Sequence, residues 1–425
     1  MTRILYRQLA CPPLIEAHIH HMRLAYIVSR FPHASETFIA RELVGLEAAG
    51  GERLELLSLF PPVDPLVHPS AAPFVDRLIR PSVGDAVSAL AWWMVRRPLR
   101  LASSVGLVIR GHLRSPRVLP RALATVPLAA AHARAVESRG VDHVHAHYAT
   151  YPTLSAWICH RLTGTPYSFT AQAHDIYMDQ SMLSRKLADA AFVVAISDFN
   201  RNLLSRYGDT AHVHVIRSGI DTSALRFRPR AVPAEGPVRA LCIASFQEYK
   251  GHRVLFEALA GSRELERVQL ELVGGGPLRG ELERRARELG ITDRVRFHGT
   301  MTEDAVRDML DQADLLVLPS VVAKSGQMEG VPIALMEAFA AGLPVVTTRL
   351  SGIPELVTDG ETGLLAEPQD AAALRDALER VVSGRFEPDL AAGRELVERE
   401  FEVADTAGRI WALIEQTSST FATTP

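Results

Sequence analysis

Along nearly the whole chain, short unbroken runs of valine, isoleucine and leucine alternate with longer stretches whose apolar residues return every three or four positions. The first half reads "RLAYIVSR", "RLELLSLF", "DHVHAHYA", "PYSFTAQA", "AFVVAISD" and "HVHVIRS". The second reads "VRALCIASF", "VQLELVGGG", "RVRFHGT", "ADLLVLPS", "LPVVTT" and "GLLAEP". A strand with one wet face alternates apolar and polar residues. Runs that stay apolar predict strands covered on both faces, hence parallel sheets clad in helices. The two sets flank "RFRPRAVPAEGP", residues 226–237, whose prolines and arginines suit a linker. The pattern predicts two doubly wound Rossmann-like α/β domains, residues 22–225 and 238–404, with residues 405–425 returning to pack on the first. Such sheets bind ligands beyond the carboxyl ends of their strands, which puts a cleft between the facing domains.

At 425 residues the chain has room for two or three domains with ample cores. An apolar share of 47% and a charged share of 22% exclude a disordered or collagen-like chain. A net charge of −3 gives no general pull towards nucleic acid, and no nucleic-acid partner is expected. Cys11, Cys159 and Cys242 form neither a C-x-x-C pair nor an even framework, the usage of a reducing, cytoplasmic protein with buried thiols. No run reaches the roughly 20 apolar residues that a spanning helix needs. Residues 1–21 lack a signal-peptide core and read as a disordered extension ahead of a first strand opening at Met22.

One region breaks the alternation. Residues 86–136 carry eight arginines and no acidic residue, together with Trp92 and Trp93. A membrane-surface segment has this make-up, and so does an arginine-rich solvated face on ordinary helices; the sequence leaves both open.

Candidate chemistry concentrates in "SGQMEGVPIALMEAFAAGLPVV", residues 325–346. Pro332 suits the first turn of a helix, Gly342 its end, and Pro344 forbids continuation, so a helix is predicted over about 331–341. Glu329 then lies in the loop before it and Glu337 inside it. The free N–H groups of Gly330, Val331 and Ile333 would point from the helix start towards an anion. Taken alone, the segment reads more readily as a buried helix with one dipole-friendly and one snorkelling glutamate, since a single short motif is weak evidence. Upstream, Lys250-Gly251 follows a strand, and Gly274-Gly275-Gly276 forms a turn at another strand's end, where backbone can approach a ligand closely.

The order of these features is more telling than any one of them. Strand–loop–Lys-Gly, strand–Gly-Gly-Gly-Pro, "ADLLVLPS", Glu329…Glu337, "SGIPELV" and "GETGLLAEP" follow one another. In this the chain resembles the retaining glycosyltransferases of the GT-B fold, glycosyltransferase family 4, from Met22 to about Trp411. The resemblance implies a nucleotide-sugar donor on the C-terminal domain. Glu337 would bind the donor ribose and Glu329 would face the transferred sugar. The amides of Gly330, Val331 and Ile333, around Pro332, would contact the distal phosphate, with Gly275 nearby, and Lys250 would stabilise the leaving diphosphate. "SRFP…SETFI" resembles the exopolysaccharide, colanic-acid-type subgroup, with Ser35, Glu36 and Thr37 in place of the usual glycine pair.

His143, His145 and His147 share one strand face, a row that looks metal-like but lacks a fourth ligand. The resemblance instead puts His145 and His147 near the acceptor. "SFTAQAHDIY" would set His174 against the donor sugar, oriented by Asp175, with Gln172 where the subgroup often has histidine. Five residues before Lys250 the family usually supplies an arginine for the diphosphate. Here that position is Ser245, and Arg30 is a conceivable substitute.

The expected reaction is glycosyl transfer with retention onto a glycan or lipid-linked acceptor in exopolysaccharide synthesis. The motifs call for no cofactor or metal and leave room for an accompanying Mg²⁺. The expected location is the cytoplasm, with membrane contact through residues 86–136. The competing expectations are a nucleotide-sugar epimerase of the same fold and a non-catalytic sugar-nucleotide binder. No G-x-G-x-x-G follows any strand, which disfavours a dehydrogenase.

Overall fold

The computed structural model describes residues 22–33, 36–50, 54–62 and 67–422. Each apolar run forms a strand: β1 (Leu24–Arg30), β2 (Glu55–Phe60), β3 (His143–His147), β4 (Tyr167–Ala171), β5 (Phe192–Ala195), β6 (Val213–Val215), β7 (Val238–Ile243), β8 (Val268–Val273), β9 (Val295–Gly299), β10 (Leu315–Leu318), β11 (Val345–Thr348) and β12 (Leu364–Ala366). They make two six-stranded sheets, in the orders β2-β1-β3-β4-β5-β6 and β12-β11-β10-β7-β8-β9. Every recorded pairing is parallel. Every residue of β3, β4, β5, β10 and β11 is buried, which is why these runs show no alternation.

Strand order reverses beside β1 in the first sheet and beside β7 in the second, the two places where neighbouring loops part to leave a crevice. Loops that leave the carboxyl ends of β1, β3, β4, β7, β8, β9 and β10, among others, line the cleft. Residues 226–237 form no helix or strand between the domains. The chain crosses back after helix Leu390–Glu400: Ile220 donates to Phe401 O at 2.8 Å and Val403 to Ile220 O at 2.9 Å. Helix Val403–Ala422 then buries Ala407, Ile410 and Ile414, spaced three and four apart, in the core beneath helix Thr37–Gly50.

Helices Val83–Arg96, Pro98–His112 and Leu119–Arg139 are inserted between β2 and β3. Their inner face is ordinary core: Trp93 is fully buried and donates Nε1–H to Ala130 O at 2.9 Å. Several arginines of residues 86–136 serve this packing, with Arg121 over the Phe60 and Tyr151 rings and Arg134 over Trp92. The outer face is apolar and basic, exposing Val83, Val87, Met94, Val95, Leu99 and Leu113 beside Arg100, Arg110, Arg114 and Arg117. Among the described residues no helix is long and apolar enough to cross a membrane. The predicted extension 1–21, Cys11 and Ser35 lie outside the described residues.

Candidate active site

The facing domains enclose a cleft of about 840 Å³. Its C-terminal wall is built around helix Ile333–Ala341, ended by Gly342 in the left-handed conformation at φ 81°. Pro332 is the N-cap, at φ −70° and ψ 127°, and not part of the first turn as the sequence suggested. The preceding loop is tied down elsewhere: Ser351 Oγ donates to Glu329 O at 2.6 Å and to Gly330 O at 2.8 Å, which holds the approach extended. Gly330, Val331, Pro332 and Ile333 all line the cleft, so the helix presents its unused amides there.

Lys250 ends a short turn after β7, and Gly251 next to it has φ 73°. A Cβ on Gly251 would stand 1.8 Å from Pro319 O, so only glycine lets the Lys250 loop lie against the end of β10. Lys250 Nζ donates to Glu329 Oε2, and each side chain is only 13% exposed. Burial alone would depress the lysine, but the adjoining Glu329 carboxylate overrides it and holds the pKa above its ordinary value. The glycine turn after β8 also meets the cleft at Gly275, and Gly274, at φ 144°, leaves no room for a side chain against Ala244 O. Ser245 lines the same wall.

Glu337 lies one turn inside its helix, on the cleft face. Its partner was not anticipated. Arg41, from helix Thr37–Gly50 of the N-terminal domain, reaches across and places Nη2 3.0 Å from Glu337 Oε1 and 3.0 Å from Glu303 Oε1. Ser70 Oγ donates to the other oxygen of Glu303 at 3.3 Å. Arg41 stands four residues after Thr37, hence on the same helix face; that spacing was the available signal, but it says nothing until the facing domain is known. Arg30 is elsewhere, donating to Pro61 O and lying over Phe60, so it does not stand in for the absent arginine at 245.

On the N-terminal wall, Glu36, Thr37 and His174 line the cleft. The His174 ring lies 4.9 Å from that of Tyr148, centroid to centroid. Burial, then the Glu36 carboxylate, raise the Tyr148 pKa and keep its hydroxyl protonated. Asp175 does not face the cleft. It is buried and accepts backbone N–H groups of Ala149 at 2.7 Å, Ala173 at 2.7 Å and Gln172 at 3.2 Å, stapling the loop that carries His174.

The other two histidines are also behind the wall. His145 and His147 are fully buried and do not line the cleft, contrary to the expected acceptor role. His145 bonds Ser168 Oγ at 2.8 Å and Thr170 Oγ1 at 2.9 Å, and His143 bonds Ser168 Oγ at 2.7 Å. The row is a cross-strand hydrogen-bond ladder between β3 and β4, and among the described residues no cluster of His, Cys, Asp and Glu could hold a metal ion. His147 is set between Tyr26 Oη at 2.6 Å and Gln172 Nε2 at 2.8 Å. Only Gln172 of this group reaches the cleft. Burial would raise the Glu42 carboxyl beside them, yet its hydrogen bond with His147 brings the pKa below the ordinary value.

Residues 225–394 match the family model described as glycosyl transferases group 1, and residues 92–224 match glycosyltransferase family 4. The two matches together run from residue 92 to residue 394, one in each domain. It is 36% identical over 215 residues to WcaL of Escherichia coli (strain K12), named for colanic acid biosynthesis, a match covering 49% of this chain and 52% of that protein. It is 34% identical over 221 residues to the amylovoran biosynthesis glycosyltransferase AmsK of Erwinia amylovora, covering 51% and 54%. The match thus spans about half the length of these relatives. Among solved structures, Anabaena Alr3699/HepE in complex with UDP and glucose superimposes with a TM-score of 0.68 at 16% identity, covering 93% of this chain and 100% of that one. The architecture is the GT-B fold.

Proposed function

We propose that the protein is a retaining glycosyltransferase that moves a sugar from a nucleotide-sugar to a glycan or lipid-linked acceptor in cell-surface polysaccharide assembly. One arrangement carries the reading: Glu329 and Glu337 flank the unpaired amides of a helix start, with Lys250 held on Glu329. A helix N-terminus attracts phosphate, and carboxylates accept from sugar hydroxyls. Glu337 takes the ribose, the amides of Gly330, Val331 and Ile333 take the distal phosphate, and Glu329 takes hydroxyls of the sugar.

In the reaction the bond from the anomeric carbon to the diphosphate oxygen breaks, and a bond to the acceptor oxygen forms on the same face. The acceptor's proton passes to the departing phosphate oxygen. Lys250 uses one N–H for Glu329 and offers the others to the charge developing on the leaving group. His174, fixed by the Asp175 staple, lies over the sugar side of the cleft, and Glu36 and Thr37 face the acceptor. No step needs a metal. The relatives are named as transferases, which supports transfer over epimerisation. The apolar and basic face of helices Val83–Arg96 and Pro98–His112 suits an anionic membrane surface, where a lipid-linked acceptor would be met.

A thermal-shift titration with UDP, GDP and ADP tests the reading. Ligand at a hundred times its Kd adds about 2.7 kcal/mol, which one nucleotide class should show and Glu337→Ala should remove. No shift from any of the three at millimolar concentration would overturn it.

A further inference from the structure

Arg41 brings a full positive charge into the cleft from the N-terminal side. Its guanidinium touches Glu303 through Nε at 3.1 Å and Nη2 at 3.0 Å, and Glu337 through Nη2 at 3.0 Å. Burial pulls its pKa down, but the Glu337 and Glu303 carboxylates more than offset this and raise it. The group is therefore charged at any working pH.

Three observations give this cation a ligand. The first is the charge balance. Lys250 is already matched by Glu329, Arg307 at the rim is turned to Asp304, and Ser245 contributes only a hydroxyl. Arg41 offsets one of the two charges on Glu303 and Glu337, so without it a diphosphate would enter against two uncompensated negative charges instead of one. The second is position. Glu337 is four residues beyond Ile333, about 6 Å along the helix axis, so a guanidinium at Glu337 lies within reach of an anion bound at the helix start. The third is capacity. A guanidinium has five N–H donors, of which Nε and Nη2 are engaged, and Glu337 Oε1 accepts from Arg41 while its second oxygen is left for hydroxyls.

We propose that Arg41 is a donor-binding residue supplied by the opposite domain: it holds Glu337 on one side and sets its remaining N–H donors against the diphosphate of the nucleotide-sugar. This rests on the donor-site reading above. It makes the N-terminal domain part of the donor site.

Isothermal titration of wild type, Arg41→Gln, Arg41→Lys and Lys250→Ala with UDP and GDP, and with uridine and guanosine, tests this. Arg41→Gln should weaken binding of the diphosphate by at least about tenfold, the scale of one lost charge-assisted hydrogen bond. The nucleoside should lose less than the diphosphate, since it carries no charge for Arg41 to meet and feels only the loosened Glu337. Arg41→Lys should recover part of the loss. Melting curves of the free variants confirm that they are folded. Wild-type or tighter diphosphate binding by Arg41→Gln would overturn the proposal, as would equal losses for diphosphate and nucleoside, which would mean that Arg41 acts only by holding Glu337. If Lys250→Ala loses the diphosphate while Arg41→Gln keeps it, the donor site stands and this inference falls. If wild type binds none of UDP, GDP and ADP, both fall.

Discussion

Breaking the Lys250–Glu329 pair one partner at a time should cost more than removing both. Each side chain is 13% exposed, so either one left alone keeps a charge that water reaches poorly. At an effective dielectric of about 20, two unit charges 4 Å apart attract by about 4 kcal/mol. Removing one partner of a buried pair typically costs about 3–5 kcal/mol. The residual exposure and the open cleft beside the pair screen part of this, which leaves about 2–3 kcal/mol for Lys250→Met or Glu329→Gln. For a domain of this size each kcal/mol moves Tm by about 2–4 °C, so each single variant should melt about 4–12 °C lower. The double variant replaces both charges with neutral groups of similar shape and should recover most of the loss, a coupling of about 2 kcal/mol. Differential scanning calorimetry is the suitable assay because it separates the transitions of the two domains. Losses that simply add in the double variant would refute the pairing. Transfer activity should be lost in all three variants, so the recovery of stability without recovery of turnover separates the structural role of the pair from its chemical one.

Other consequences are equally direct. Gly251→Ala should melt well below wild type and lose diphosphate binding in the same titration, because a Cβ 1.8 Å from Pro319 O forces the Lys250 loop off β10; a normal melt with normal binding would contradict this. His143 and His145 are pushed down to about 3 and about 4, chiefly by burial, whereas the unfolded chain protonates them near 6.5. Below pH 6.5 the unfolded state binds protons that the folded state refuses, so stability falls with pH, by up to about 4 kcal/mol at pH 5 for the two together. A Tm unchanged between pH 7 and pH 5 would sink that account. Glu329→Ala should lower kcat with donor affinity nearly kept, whereas Glu337→Ala should raise the donor KM; steady-state kinetics separates them. Val95→Asp with Leu99→Asp should abolish co-flotation with anionic phosphatidylglycerol vesicles, and wild type that fails to float with them would remove the membrane proposal.

How much of this was readable along the chain differs from element to element. The parallel sheets were legible because burial on both faces leaves an unbroken apolar run, as in "FVVA" of β5 and "LLVL" of β10. The motif around Glu329 and Glu337 was legible because helix starts, helix ends and their prolines and glycines act within a few residues. The three histidines of β3 show the limit of such local reading. Their spacing gave the face they share, but whether that face meets the cleft or another strand depends on Ser168 and Thr170, more than twenty residues away. Asp175 marks the same limit: its link to His174 was legible, but its place behind the cleft wall is set by how two loops meet.

The sequence by itself therefore determined the elements, their order, the two sets of parallel strands and the local setting of Lys250, Glu329 and Glu337, all properties fixed by neighbours along the chain. Only the tertiary structure decided what each charged group faces. Arg41 and Glu337 are separated by 296 positions and belong to different domains, yet their 3.0 Å contact depends on the domains being docked. Electrostatic energy falls with distance through space and is indifferent to distance along the chain, so no local pattern could have announced that pair.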